Sequence, residues 1–343
     1  MMNQRATWFI IHHCFQNRLK SLNMKKLFFL IMAAALFQTV QAQTAKVGST
    51  TTTLSTIFAH YTLNPLLIDP AYAGFTETHH LNMNIRSQWT GFPEAPKSYR
   101  IGYNGPIGKT LGVGANLLSE NLGNVSVLRF QLNYAFRYQI RDVKLAAGFS
   151  TDFYSMKVAE SVIQNPLYEI GDPIVQDAVD GNKIFDAALG FWSTFKDRTF
   201  IGLTFSNLVV AKIGDIESGS PEGSLFRYVV LNFGHVFDIE PYNFTVEPSM
   251  MVQRIKDKPF QADFNLKGSF INDKLIAGIS YRAGLGGVAG LLLGTNIDVF
   301  KLYYSYDVSF QNVQQYNGGT HEVTVAFDFD GGRKRFDRTP VRN

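Results

Sequence analysis

The stretch "SVLRFQLNYAFRY", residues 126–138, puts Leu128, Phe130, Leu132, Tyr134, Phe136 and Tyr138 on one side of an extended chain. Arg129, Gln131, Asn133 and Arg137 fall on the other. Alternate side chains of a strand point to opposite faces, so this is a two-faced strand and not a helix. "FQADFNLKGSF", 260–270, repeats the pattern, with Phe260, Ala262, Phe264, Leu266 and Phe270 opposite Gln261, Asp263, Asn265, Lys267 and Ser269. Fourteen such segments run from 81–89 to 321–329, and none of the chain shows a sustained helical period. Most span 9 to 11 residues, the length of a tilted strand crossing a bilayer and longer than the usual soluble strand.

Loop lengths supply a second, independent signal. From the second connection onward, every other one is five residues or fewer, while the long ones, at 154–183 and 208–227, fall in the alternate phase. Outer-membrane barrels alternate short periplasmic turns with long surface loops in this way. Trp89, Tyr138, Tyr281 and Tyr306 lie near strand ends, where interfacial aromatics sit. The expected fold is therefore all-β, a transmembrane antiparallel barrel of about 14 strands over residues 81–329. A soluble β-sandwich has the same period, and period alone does not tell a lumen from solvent. A membrane forces closure, because lipid cannot satisfy an open sheet edge.

The front of the chain reads as an address. "MKKLFFLIMAAALFQTVQAQ" from Met24 has a basic start, an apolar run too short to span a bilayer, and then Val40 and Ala42 at positions −3 and −1 of a cleavage site. Residues 24–42 are expected to be a signal peptide cleaved after Ala42, and residues 1–23 an upstream start-site extension. Five of the 32 basic residues and none of the 28 acidic ones lie in the first 42, which leaves a net charge of −1 after cleavage. Nothing in that charge suggests nucleic acid as a partner. Cys14, the one cysteine, goes with the leader, so disulfides and thiolate chemistry are excluded from the exported chain.

Catalytic and metal signatures do not assemble. His79 and His80 are adjacent and point apart on a strand, and His60, His235 and His321 are isolated. No serine sits in a G-x-S-x-G elbow. "GVG" at 112–114 and "GLGG" at 284–287 read as strand bends or a tight turn. No cofactor and no enzymatic activity are expected. Arg86, Arg129, Arg137, Asp263, Lys267, Lys301 and Asp307 fall on the polar faces and are candidates to line the lumen. They would either pair with one another or form a docking or selectivity surface. The tail 330–343, with Arg333, Lys334, Arg335, Arg338 and Arg342, is a basic periplasmic tail that is either free or in contact with a partner or anionic lipid.

"YTLNPLLIDPAYAGF", 61–75, is apolar but broken by Pro65 and Pro70, which suits neither a helix interior nor a central strand. With "RSQWTGFPEAPKSY", 86–99, it resembles the PorP/SprF family of the type IX secretion system and gliding-motility machinery. Asn64, Pro65, Pro70, Ala71, Ala73 and Gly74 match the first family motif, with Asp69 where asparagine is usual. Arg86, Gln88, Trp89, Gly91, Phe92, Ala95 and Pro96 match the second. "GVGANLLSENLG" and "YAFRYQI" fit the family's next hairpin, and "YYSYDVSF" with "NGGTHEVTVAFDF" fits its closing one. The resemblance implies a barrel in the outer membrane of a Gram-negative bacterium that works with periplasmic secretion-machinery subunits. It implies a role in exporting or attaching cargo with a C-terminal sorting domain, and contact with outer-membrane lipid. The alternative class is a diffusion barrel for solutes or hydrophobic compounds. Residues 43–80 are expected to be a periplasmic segment or a plug ahead of the first strand.

Overall fold

The computed structural model describes residues 58–162, 179–213, 225–239, 243–256, 258–284 and 286–329. The expected leader and start-site extension within 1–42, residues 43–57 of the expected periplasmic or plug segment and the basic tail 330–343 lie outside the described residues, as do most of the long loops expected at 154–183 and 208–227.

Among the described residues fourteen antiparallel strands close on themselves, and a two-residue strand, Ala211–Lys212, pairs outside that ring with Ile184 and Phe185. In chain order they are β1 (His79–Ser87), β2 (Lys97–Ile107), β3 (Leu111–Leu122), β4 (Val125–Ile140) and β5 (Val143–Val158). β6 (Asn182–Phe195) and β7 (Thr199–Ser206) follow. β8 runs through Tyr228–His235 and Phe237–Ile239, and β9 is Phe244–Ile255. The last five are β10 (Gln261–Phe270), β11 (Leu275–Ala283), β12 (Val288–Ile297), β13 (Phe300–Ser309) and β14 (Thr320–Phe329). The β8–β9 ladder lacks its pairs at His235 and Val236, which the register sets opposite Pro248 and Glu247, and proline offers no N–H to a ladder. The register is the same on both sides of the break. β14 pairs with β1, and β8 pairs with both β7 and β9, so the ring is continuous among the described residues.

The two faces are inverted relative to a soluble protein. On β4, Phe136 is 68% exposed and Asn133 on the opposite face is 1% exposed. Leu128, Phe130, Tyr134 and Tyr138 are likewise exposed. Asn82, Asn84, Arg86, Arg100, Glu120, Asp152, Asp263 and Glu322 are buried. Apolar outside and polar inside is the arrangement a lipid solvent selects. This is the observation that separates the barrel from a sandwich of the same period.

The connections β2–β3, β4–β5, β6–β7, β8–β9, β10–β11 and β12–β13 are four residues or fewer, and the long ones lie at the other end. One expectation is corrected there. The β3–β4 connection, expected as an outer loop of several residues, is only Gly123–Asn124. The residues assigned to that loop continue the ladder instead, from Leu118 paired with Arg129 to Leu122 paired with Val125. β4 and β5 reach 16 residues each, so this flank of the sheet is taller than the expected segments 127–138 and 143–153.

Candidate functional site

Residues 58–75 are built from three short 3-10 turns, Ala59–Thr62, Pro65–Leu67 and Pro70–Tyr72. Proline opens the second and third, where its missing N–H would have no partner anyway. Asp69 Oδ1 caps the third by accepting the Ala71 N–H at 2.8 Å. Tyr61, Leu66, Ala71 and Ala73 are buried.

This segment touches strands all round the sheet. The Glu322 carboxylate of β14 accepts the Ala59 and His60 N–H groups at 2.8 and 3.2 Å. Asn265 of β10 donates to the Tyr61 hydroxyl at 2.7 Å, and Lys267 donates to the Thr62 carbonyl at 3.1 Å. Tyr61 packs on Val230 of β8 and Met251 of β9. Ala71 packs on Ala146 of β5 and Trp192 of β6. Opposite walls of a closed sheet can be touched together only from within, so residues 58–75 occupy the lumen.

The far half of the segment rests on a row of missing side chains. Gly112 pairs with Ala135, Ala135 with Gly148, and Gly148 with Gly190, which makes one cross-strand band over β3 to β6. A Cβ at Gly112 would lie 1.9 Å from the Ala73 carbonyl oxygen. One at Gly148 would lie 2.3 Å from the Ala71 nitrogen, and one at Gly190 2.0 Å from Asp69 Oδ1. The backbone of 69–74 therefore lies directly on the wall, as only glycine permits. Gly112 is not a bend: it stands in a regular stretch of β3, and the reading of it as a bend is corrected. Gly74 takes a left-handed backbone, φ +59°, and turns the chain against Gly105 before it enters β1.

The charged candidates from the sequence are each bound to protein groups. Arg86 donates to Glu322 at 2.7 Å and to Asp307 at 3.0 Å, all three being nearly fully buried. Asn84 adds a hydrogen bond to Glu322 at 2.8 Å. Arg129 pairs with Asp152 at 2.8 Å, and Asp263 with Arg282 at 3.0 Å. Lys267 pairs with Glu247 at 2.8 Å, and Lys301 pairs with Asp328. Arg137 donates to the Gly74 carbonyl at 2.5 Å. Sequence reading did not name Glu322, Asp152, Arg282, Glu247 or Asp328, because pairing depends on which strands are neighbours. Beside the segment lies a cavity of about 100 Å³ of mixed lining, with Arg100, Asn116 and Asn133 on one hand and Leu66, Leu118 and Met251 on the other.

The two motifs part company at Arg86. Asn64, Pro65, Pro70, Ala71 and Gly74 belong to the lumen segment, and Arg86 joins its opening turn through Glu322. Gln88, Trp89, Gly91, Phe92 and Pro96 lie in the β1–β2 connection at the long-loop end. There Gln88 donates to the Pro96 carbonyl at 2.9 Å, and Thr90 exchanges backbone hydrogen bonds with Gly318 and Gly319. Trp89 and Phe92 are exposed. Of the paired histidines, His79 bonds to the Tyr103 hydroxyl and His80 to Asp328. Among the described residues no group of three or more His, Asp or Glu is placed to hold a metal.

Asp69 has a testable consequence. Burial pushes its carboxyl up to about 8, well above the usual carboxylate range. A raised value in the seated segment means that seating is most favourable below the ordinary value near 4 and weakens as pH rises towards 8. Protease access to residues 58–75 in the refolded barrel should therefore increase between about pH 4 and pH 8. Asp69→Asn keeps the cap and cannot ionise, so its access should be flat over that range. An equal pH dependence in both proteins would remove Asp69 as the cause.

A family model described as "Type IX secretion system membrane protein PorP/SprF" matches residues 52–327. No curated protein matches the chain. Among solved structures, the chain is similar to the outer membrane protein Omp33 of Acinetobacter baumannii at 9% identity, covering 75% of this chain and 99% of that one, with a TM-score of 0.44. The toluene transporter TodX of Pseudomonas putida is 10% identical over 77% of this chain and 91% of its own, with a TM-score of 0.45. A FadL homologue of Pseudomonas aeruginosa is 11% identical over 76% and 92%, with a TM-score of 0.43.

Proposed function

The chain belongs to the PorP/SprF family of type IX secretion system membrane proteins, and from that premise we propose that it is a non-enzymatic outer-membrane barrel of this machinery whose lumen is closed by its own residues 58–75. It supports the secretion or surface attachment of particular adhesin-like cargo and works with periplasmic subunits of the apparatus. The observation that carries the accessory reading over a diffusion barrel is the filled lumen. A channel must leave a path for its solute. Here Arg86, Arg129, Arg137, Asp263, Lys267, Lys301 and Asp307 are bound to other side chains or to the backbone of the lumen segment, and the glycine band removes the clearance such a path would need. The candidate surfaces for partners are then the two ends of the barrel. At the long-loop end, the β1–β2 connection with Trp89 and Phe92 is the part of the family motif that the lumen does not absorb.

The test is deletion of the gene followed by mass spectrometry of the secreted and surface proteome. The expected result is loss of one or a few large surface proteins, with the remaining type IX cargo still exported. Loss of all such cargo would make the chain a core component of the translocating machine. An unchanged secretome would overturn the proposal.

A further inference from the structure

We propose that the outward face of β4–β7, at the short-turn end, binds an anionic phospholipid, with an acyl chain in a groove of the wall and the phosphate on two adjoining turns. The groove, about 600 Å³, is lined by Phe136, Tyr138, Leu145, Ala147, Phe191 and Leu203. Register explains why it is there. Phe136 pairs with Ala147, Ala147 with Phe191, and Phe191 with Leu203, so a methyl group stands in a row of large side chains. One step nearer the turns, the row Tyr138, Leu145, Ser193 and Ile201 again contains one small member. Ala147 and Ser193 leave a slot that runs along the strands towards the turns. At roughly 3.4 Å per residue, Ala147 lies about 17 Å from Asp142 in the β4–β5 turn, which is within the reach of an acyl chain whose headgroup sits at that turn.

The mouth of the slot carries the complementary charge. The β4–β5 turn holds Arg141 and Asp142, and the β6–β7 turn holds Lys196, Asp197 and Arg198. The Lys196 N–H donates to the Asp142 carbonyl at 2.7 Å, so the two turns lie side by side. Lys144 neutralises Asp197 at 3.0 Å, and Arg198 pairs with Asp238. Arg141 and Lys196 make no ion pair among the described residues. The Lys196 ammonium lies 5.4 Å from the centre of the Phe195 ring, which faces outward with the groove. With Asp142 the remaining acid, the two turns keep a net positive charge beside an apolar slot. A phosphate on an acyl chain is the chemistry that satisfies both.

The full-length barrel, refolded and held in detergent, is mixed with equal amounts of phosphatidylglycerol and phosphatidylethanolamine of the same acyl chains, and retained lipid is read by native mass spectrometry. Wild-type protein is expected to retain phosphatidylglycerol roughly tenfold over phosphatidylethanolamine, in line with the gain from two cations near a lipid surface. Arg141→Gln with Lys196→Gln alters only exposed turn side chains, so folding is preserved; this variant should hold both lipids about equally. Ala147→Phe fills the slot and should lower retention of both, and heat-modifiable mobility confirms that it is folded. No preference in the wild type, a preference that survives the double substitution, or retention that survives Ala147→Phe would each overturn the assignment.

Discussion

Gly148→Leu opens the lumen. In planar bilayers the wild-type barrel should be electrically silent or nearly so, and the variant should show long-lived conductance steps. The reason is the absence of slack at this position. A Cβ there would meet the Ala71 nitrogen at 2.3 Å and the Ala71 Cα at 2.4 Å, both backbone atoms with no rotamer to escape into. Forcing extra methylenes into a packed site costs about 1–3 kcal/mol even where side chains can shift. A leucine needs four carbons of room that neither the sheet nor the turn Pro70–Tyr72 can give, so the segment rather than the wall moves. Thr151→Leu, at an outward position of the same strand, is the control and should leave the bilayer silent. A folded Gly148→Leu barrel that conducts no more than wild type would show that residues 58–75 do not obstruct the pore, and the accessory reading would lose its structural support.

Arg86→Leu should give the largest loss of stability. The guanidinium bridges Glu322 and Asp307 at 2.7 and 3.0 Å, with each side chain 6% exposed or less. Removing it leaves two buried carboxylates facing each other without a counter-charge. Breaking one partner of a buried ion pair typically costs about 3–5 kcal/mol, mostly from the charge left behind. Glu322 also holds the Ala59 and His60 N–H groups, so the lumen segment should loosen with it. The measurement is the temperature at which the compact, heat-modifiable band converts to the unfolded one on a gel, which should fall well below that of wild type. Arg86→Leu combined with Glu322→Gln removes one of the stranded charges and should recover part of the loss. A double variant no better than the single one would mean that the stranded charge is not the cause.

Alternation determines the architecture from the sequence alone. Residues 126–138 and 260–270 display their two faces because a strand's period is two, and this holds in any environment. Strand length and the phase of the loops then indicated a membrane, and the chain closes in the number of strands that were counted. The prolines of 61–75 showed that this stretch was not part of the sheet, and the paired motifs pointed to the family that the match over residues 52–327 now gives. The same one-dimensional logic failed at Gly123–Asn124, where the ladder runs on through residues assigned to a loop. Polar residues such as Ser119, Glu120 and Asn121 suit a loop and an inward or rim-facing strand equally well.

What the sequence did not contain was the meeting of strands far apart along it. Arg86 is readable as an inward charge, but its partners Asp307 and Glu322 lie more than 200 residues away and become neighbours only when β14 closes on β1. Gly112, Gly148 and Gly190 are unremarkable one by one. They become a bed for the Asp69–Gly74 backbone because the register sets them level on neighbouring strands. Propensity and period act between residues close in sequence, whereas register, closure and the filling of a lumen are set by packing between distant ones. The face each residue presents was therefore local information, and what it meets there was decided only by the tertiary structure.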